Sequence, residues 1–398
     1  MTKHIAIEQT QLNQWKVDSN GALARIFLAF LTTAGIFYIN IMPALVSGLI
    51  EGLNFTNQQA GFVSSSNLYG AAAGALLAVF IVKHINWKKW AYVLLLTILL
   101  VDFLSIFITS PTIMVIIRGA HGLVGGLLVG IGFAVISRTR DADKTFGYLL
   151  LIQWGLGGLG IMYLPAMVPE YGTSALFIAL MSFTFISLAM LPFLPSYPVA
   201  ATDPLAKLPA KVRRQPLVLT LLAIFLFQAA NMGLFAYVIG LGKAEGLTMD
   251  FMSPALASAS WVALLGSMLV ILIGTKYGRT MPLIAAIIVT AICTWVLIYS
   301  EVSMVYLIAN VLIGITWAFA LPYMFGICSE LDKAGQLAAL GGFASKMGLA
   351  SGPMAAALLL NDDSYETVIY FSSILLIVCS AVIFWPARLL DSDKKASL

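Results

Sequence analysis

Charge is what this sequence has least of. Only 10% of its 398 residues are Asp, Glu, Lys or Arg, against 60% that are apolar. A soluble domain carries about 25% charge, so the shortage excludes a water-facing surface over most of the chain. Apolar residues fall instead in stretches of about 20 or more, the length that crosses a bilayer core of roughly 30 Å. Mean hydropathy is +0.95. Backbone groups in lipid must satisfy one another, so spans of this kind are helical. The sequence predicts an all-α polytopic membrane protein.

Further absences narrow the chemistry. The three cysteines, Cys293, Cys328 and Cys379, lie in or at the end of apolar runs without metal-ligand spacing, and read as free structural thiols. No His/Glu/Cys cluster suggests a metal, and no glycine-rich loop between a strand and a helix suggests a nucleotide cofactor. Asp141-Ala-Asp143 has metal-like spacing, but Arg138, Arg140 and Lys144 flank it, which favours ion pairing at the membrane surface. An enzyme is not expected, nor a bound cofactor. Residues Met1 to Asn20 are polar rather than a basic segment followed by a short apolar one, so no cleaved signal peptide is expected. The net charge of +4 lies almost wholly in short loops, so nucleic acid is not an expected partner.

What is present is a regular series of apolar segments. Twelve spans are predicted. The first six run Ala22–Ile50, Gln58–Val82, Trp90–Thr109, Thr112–Ser137, Thr145–Val168 and Ser174–Pro195. The last six run Pro216–Leu241, Phe251–Gly274, Met281–Ser300, Met304–Cys328, Gln336–Leu360 and Thr367–Trp385. Between the sets lies Ser196–Gln215, the longest polar stretch inside the chain, with Lys207, Lys211, Arg213 and Arg214 among prolines. The expected organisation is an N-terminal six-helix half (1–195), a linker (196–215) and a C-terminal six-helix half (216–398). Nineteen of the 22 Lys and Arg fall on one side of this series, and Lys243 alone on the other. By the positive-inside rule both termini and the linker are cytoplasmic, in a bacterial inner membrane. Acidic and amide residues gather on the opposite turns: Glu51 to Gln59, Glu245/Asp250, and Asn361/Asp362/Asp363/Glu366.

The two remaining cations, Arg118 and Lys346, stand inside apolar runs. A charge at the bilayer centre costs at least about 2.5–3.5 kcal/mol, so each calls for a partner or a task. The halves echo each other around them. Arg118-x-x-x-Gly122 in span 4 corresponds to Asn310-x-x-x-Gly314 in span 10. Gln153-x-Gly155-x-x-Gly158 in span 5 corresponds to Lys346-x-Gly348-x-x-Ser351 in span 11. Each membrane cation thus faces an uncharged polar counterpart in the other half, as in transporter repeats.

Over essentially its whole length the chain resembles the major facilitator superfamily. The loop Gly274-Thr-Lys276-Tyr-Gly278-Arg279 is close to that family's loop signature, with Thr275 where an acid usually stands. The loop Lys83 to Lys89 keeps the basic character but lacks the acid and the glycine. Arg118-x-x-x-Gly122-x-x-Gly125-Gly126 is similar to the family's fourth-helix motif, whose arginine is associated with proton coupling. Gly348-x-x-x-Gly352-Pro353 lies in span 11, whereas span 5 has no Gly-Pro pair. Family antiporters carry that pair in the fifth helix, which tilts the resemblance away from proton-driven export. The resemblance implies alternating access between two six-helix halves, with Gly122, Gly348, Gly352, Pro353, Lys276, Gly278 and Arg279 as conformational residues.

Lys346 is about ten residues, or roughly 15 Å, from the basic end of its span, close to the midplane. It is the candidate contact for an anion. Arg118 and Asp102 lie at similar depth on either side of the short turn Ser110-Pro111, so an ion pair between them is one reading and proton coupling another. His121 falls one turn from Arg118 on the same face. Tyr38, Asn40, Asn67, Tyr69, Gln153, Trp154, Gln228, Asn231, Asn310 and Trp317 could complete a polar cavity. The expected function is proton-coupled transport, as symport, of a small organic anion such as a carboxylate. The contacts would be Lys346, Arg118, Tyr38, Asn40, Gln153, Trp154, Gln228, Asn231, Asn310 and Trp317, with Asp102, Arg118 and His121 serving the proton. The partners are a small molecule, H+ and the bilayer, with the chain working as a monomer. A proton-driven multidrug or metabolite exporter and a transporter-like receptor or sensor without flux are the alternatives.

Overall fold

The computed structural model describes residues 15–82, 84–197, 213–274, 276–331, 336–360 and 364–396. Lys83, Thr275, Lys333, the linker residues Lys207 and Lys211, and the acidic turn residues Asn361, Asp362 and Asp363 lie outside them. Nine helices among the described residues are long and apolar enough to cross a membrane. Every expected span coincides with a helix or with a broken helix.

The first span is in three pieces, α1 (Ala22–Ala34), α2 (Phe37–Asn40) and α3 (Met42–Leu53). Its breaks fall at Gly35–Ile36 and at Ile41, and Pro43 sits in the first turn of α3, where its missing N–H costs nothing. The next five spans are α4 (Asn57–Ile81), α5 (Trp87–Ser105), α6 (Pro111–Ile136), α7 (Ala142–Tyr171) and α8 (Ser174–Met190). Then come α9 (Arg214–Ala244), a span broken at Ala263 into α10 (Met249–Val262) and α11 (Leu264–Ile273), and α12 (Thr280–Val296). The last three are α13 (Ser303–Leu331), α14 (Gln336–Leu359) and α15 (Glu366–Ala396). Pro165 and Pro322 lie inside the continuous helices α7 and α13. Among the spans, α5 carries Lys88, Lys89 and Asp102, and α14 is rich in Gly, Ser and Ala around Lys346.

Helix ends follow local chemistry. A capping box starts α4, with Thr56 and Gln59 exchanging side-chain and backbone hydrogen bonds. Asn86 caps α5 through the backbone N–H of Lys89, and Pro111 opens α6. Asn54, which ends α3, takes the left-handed conformation that a short polar side chain tolerates.

Packing depends on backbone proximity. In lipid no hydrophobic force drives helices together, so small residues that allow close approach set the pairs. A Cβ added to Gly122 or Gly126 of α6 would collide with the Asn67 or Ala71 carbonyl of α4. One added to Gly70 or Gly74 of α4 would strike the Gly119 or Leu123 carbonyl of α6. In the second set, Gly348 abuts the Phe225 carbonyl, and Gly352 the Ala229 carbonyl, so α14 lies on α9 in the same way.

Contacts between the first six and last six spans gather at the acidic end. Glu51 of α3 pairs with Lys243 of α9, and Ser47 also donates to Glu51. The Tyr237 hydroxyl donates to the Asn57 carbonyl at 2.7 Å, and Tyr69 of α4 meets Ser351 of α14 at 2.8 Å. Trp261 donates to the Gly155 carbonyl at 3.0 Å. At the basic end the bonds run within one set: Arg25 to Asp141 at 2.8 Å, Arg213 to Asp393, and Lys88 to the Pro192 and Leu194 carbonyls. The pair at Asp141 is the surface ion pairing expected there.

The carbonyl contacts make one prediction. Gly122→Ala forces α6 off α4 and lowers stability by about 1–3 kcal/mol, as overpacking does. Gly342→Ala, where a Cβ meets nothing within 4 Å, leaves the melting temperature of the detergent-solubilised protein unchanged or higher.

Candidate functional site

Two polar clusters occupy the interior, one in each set of spans. The first is built by the tight turn between α5 and α6, which brings Asp102 and Arg118 to one depth. Arg118 Nη1 donates to Asp102 Oδ1 at 2.8 Å, and both side chains are fully buried. Nη2 donates to the Val101 carbonyl at 3.3 Å and to Ser105 Oγ. The Phe177 ring of α8 lies 5.1 Å from the guanidinium carbon, a cation–π contact in a desolvated setting.

His121 completes this cluster one turn along α6. Its Nε2 is 3.3 Å from Asp102 Oδ1, and its Nδ1 is 2.8 Å from Asn67 Nδ2 of α4. Asn67 also donates to the Arg118 carbonyl at 3.1 Å. Tyr38 of the broken first span closes the wall, its ring 6.1 Å from that of His121. Four spans and α8 therefore converge on one carboxylate. Its second oxygen, Asp102 Oδ2, is buried without a hydrogen-bond partner.

The second cluster is on α9, α13 and α14, and includes Ser345, next to Lys346 in sequence. Lys346 is partly exposed, and no ion pair or hydrogen bond joins it to any described residue. Its neighbour Ser345 accepts from Gln228 Nε2 of α9 at 2.6 Å, and Gln228 Oε1 accepts from Trp317 Nε1 of α13 at 2.7 Å. Phe235 stacks edge-on to Trp317 at 6.1 Å. Three helices thus hold a fixed polar chain that ends at the residue preceding Lys346.

The other sequence candidates are placed as follows. Asn40 and Gln153 bond each other, Asn40 Nδ2 to the Gln153 carbonyl at 2.6 Å and Gln153 Nε2 to Asn40 Oδ1 at 3.2 Å. That pair ties the break at Ile41 to α7. Trp154 is partly exposed on α7. Asn231 and Asn310 donate back to the Phe227 and Tyr306 carbonyls of their own helices, and Asn231 Oδ1 is buried with no partner. Pro353 contributes its carbonyl to the crowded contact with Gly61 and Tyr237.

In the loop before α12, Lys276 lies over Tyr277 at 5.5 Å, and Gly278 has φ 76°. A side chain at that φ would be strained, and a Cβ there would press on Asp391. Arg279 binds Glu330 of α13 with both nitrogens, at 2.9 and 2.5 Å. Its backbone N–H and that of Thr280 donate to Asp391 of α15, which thereby caps α12. The acid absent before Lys276 in the sequence is supplied to Arg279 from two other helices. Sequence reasoning missed Glu330 and Asp391, and missed Ser345 as the partner of Gln228 and Phe235 against Trp317. The only signal was an acid at the basic end of each helix.

Removing one partner of a buried pair is costly, about 3–5 kcal/mol, because the other charge is left uncompensated. Arg118→Leu and Asp102→Leu are each expected to lose folded protein by thermal unfolding in detergent, whereas the double variant recovers most of the loss.

With this fold and these clusters in place, the family can be stated. The chain belongs to the Major Facilitator Superfamily, whose family model matches residues 26–346. It is a multi-pass secondary transporter. A Bacillus subtilis (strain 168) protein provisionally named a niacin/nicotinamide transporter, NiaP, is 24% identical over 163 residues. The match covers 40% of this chain and 41% of that relative's length. Crystal structures of the nucleoside transporter NupG and of a single-substitution mutant of it superpose with TM-scores of 0.72, at 15% and 12% identity. Each comparison covers 92% of this chain and 99% of the other, which establishes the shared fold.

Proposed function

We propose that the protein carries a small organic anion, a carboxylate, together with a proton, by rocking residues 1–195 against 216–398 around a site near the midplane. The observation that carries this reading is Lys346. A cation roughly 15 Å into a spanning helix is costly without a countercharge, and among the described residues none is bonded to it. An anionic substrate supplies that charge when it binds. The Ser345–Gln228–Trp317 chain beside it offers a flat aromatic wall and hydrogen-bonding groups, the mixture that fixes a small ligand's orientation. The partial likeness to a niacin/nicotinamide transporter supports the same class, since niacin is a pyridine carboxylate.

Asp102 takes the proton in this reading, Arg118 answers its charge, and His121 approaches the same carboxylate oxygen. Arg118 becomes available to another anion only when Asp102 is neutralised, which links protonation to substrate binding. The basic loops favour both termini and the linker 196–215 on the cytoplasmic side of a bacterial inner membrane. On that orientation the bonds at the acidic end favour an inward-facing reading, with Glu51 and Lys243 on the outside. The unit of transport is a monomer.

Two outcomes test this reading. Proteoliposomes with an alkaline interior accumulate nicotinate, benzoate or pyruvate but not the matching amides, and a protonophore abolishes the uptake. Lys346→Gln lowers that uptake at least about tenfold, the equivalent of one charge-assisted hydrogen bond. Undiminished gradient-driven uptake in Lys346→Gln overturns the assignment of the site. For coupling, uptake at a fixed gradient rises as external pH falls through the carboxylate range, and Asp102→Asn removes that dependence.

A further inference from the structure

Asn67 was first read only as one polar group among many lining a cavity, yet its position decides where a proton can go. Its Nδ2 makes two contacts: 3.1 Å to the Arg118 carbonyl and 2.8 Å to His121 Nδ1. A main-chain carbonyl only accepts, so the Arg118 contact identifies the nitrogen end of the amide. The same nitrogen therefore donates to the Nδ1 lone pair of His121. The imidazole is then neutral with its hydrogen on Nε2, the atom 3.3 Å from Asp102 Oδ1. Neither ring nitrogen has a free lone pair.

We propose that Asn67 is a positioning residue for proton coupling, which holds His121 in the Nε2–H tautomer and so directs the coupling proton to Asp102. This rests on the proton-coupled reading given above. The open carboxylate acceptor in the cluster is Asp102 Oδ2, buried and without a partner; the Tyr38 and Ser64 hydroxyls, Arg118 Nε and His121 Nε2 are also buried without one. A proton that reaches it when the cluster opens forms an O–H bond there, the carboxylate becomes a neutral acid, and no bond in the imidazole changes. The groups facing this pair from each neighbouring helix are few. Arg118 of α6 stays cationic, Tyr38 of the first span faces Ser64 of α4, and α8 presents the uncharged Phe177 ring.

The consequence reaches the other set of spans through α4. Glycine-to-carbonyl contacts at Gly70, Gly74, Gly122 and Gly126 bind α4 and α6 into one rigid pair. The pair is held to α5 by the Arg118–Asp102 charges, and it loosens there when Asp102 is neutral. On the far side of α4, about 200° around the helix from Asn67, Tyr69 bonds Ser351 of α14. Ser351 lies one and a half turns from Lys346 on that helix. The α4–α6 pair is thus a lever with the proton at one end and the substrate helix at the other.

The chain has three histidines, His4, His84 and His121, so nitrogen-15 histidine labelling in lipid bilayers resolves the tautomer directly. Solid-state NMR of the wild type is expected to show His121 neutral and protonated on Nε2 throughout about pH 5 to 8. Infrared titration should show a buried carboxylic acid band that Asp102→Asn removes. Asn67→Asp keeps the side-chain size but turns donor into acceptor. An imidazolium signal should then appear, and the pH midpoint of gradient-driven benzoate or nicotinate uptake should rise by about one unit or more. Tyr69→Phe and Ser351→Ala should leave both spectra unchanged and lower the stimulation of uptake by a pH gradient at least fivefold. A charged or Nδ1–H His121 in a wild type that is gradient-driven overturns the role of Asn67. Gradient-independent uptake in a wild type with the expected tautomer overturns proton coupling and the lever with it.

Discussion

A charge inside a bilayer must find a countercharge, and the architecture of this protein follows from how each of its two deepest cations does so. Arg118 is answered within its own set of spans by Asp102 at 2.8 Å, screened by Phe177 and sealed from water. Lys346, on a helix of similar glycine-rich character, is answered by nothing described around it. One cation stabilises a bundle, and the other asks for a ligand. The weak sequence echo between the sets makes this asymmetry more informative, because the matching positions, Asn310 and Gln153, are uncharged.

Close backbone packing is what lets such sparse polar groups matter. Because α4 meets α6, and α14 meets α9, at glycine–carbonyl contacts, these helix pairs cannot absorb a local change by repacking side chains. Motion passes instead to hydrogen bonds that join different pairs: Tyr69 with Ser351, Tyr237 with Asn57, and Glu51 with Lys243. Those bonds lie toward the acidic end, so that end opens only if they break together. At the opposite end Arg279 is fixed by Glu330 and Asp391, which stiffens the second set where the first set's bonds do not reach.

Much of this was legible in the sequence, for physical reasons. Hydrocarbon thickness sets span length, so the spans could be read as runs. The short turn at Ser110-Pro111 set the relative depth of Asp102 and Arg118, and the structure brings them into contact. Asp141 was readable as a surface pair because three cations flank it, although its partner, Arg25, comes from another helix. The breaks at Gly35–Ile41 and Ala263 were not legible. The break at Ile41 is followed by Pro43 in the next turn, but those at Gly35 and Ala263 have no proline beside them, and Gly35 is explained only by the Gly125 carbonyl pressed against it. The Ser345–Gln228–Trp317 chain, and the two acids on Arg279, depend on side chains from separate helices meeting at one depth. Periodicity within a single span carries no such information.

The central claim is that Lys346 is the countercharge of a transported anion, and charge rescue tests it most directly. In a background with Cys293, Cys328 and Cys379 replaced by alanine, Lys346→Cys can be alkylated to a thioether that ends either in an ammonium group or in a neutral methyl group. Binding of benzoate or nicotinate by isothermal calorimetry is predicted to vanish in Lys346→Cys, to return on aminoethylation, and to stay absent on methylation. Equal affinity in all three forms would contradict the account.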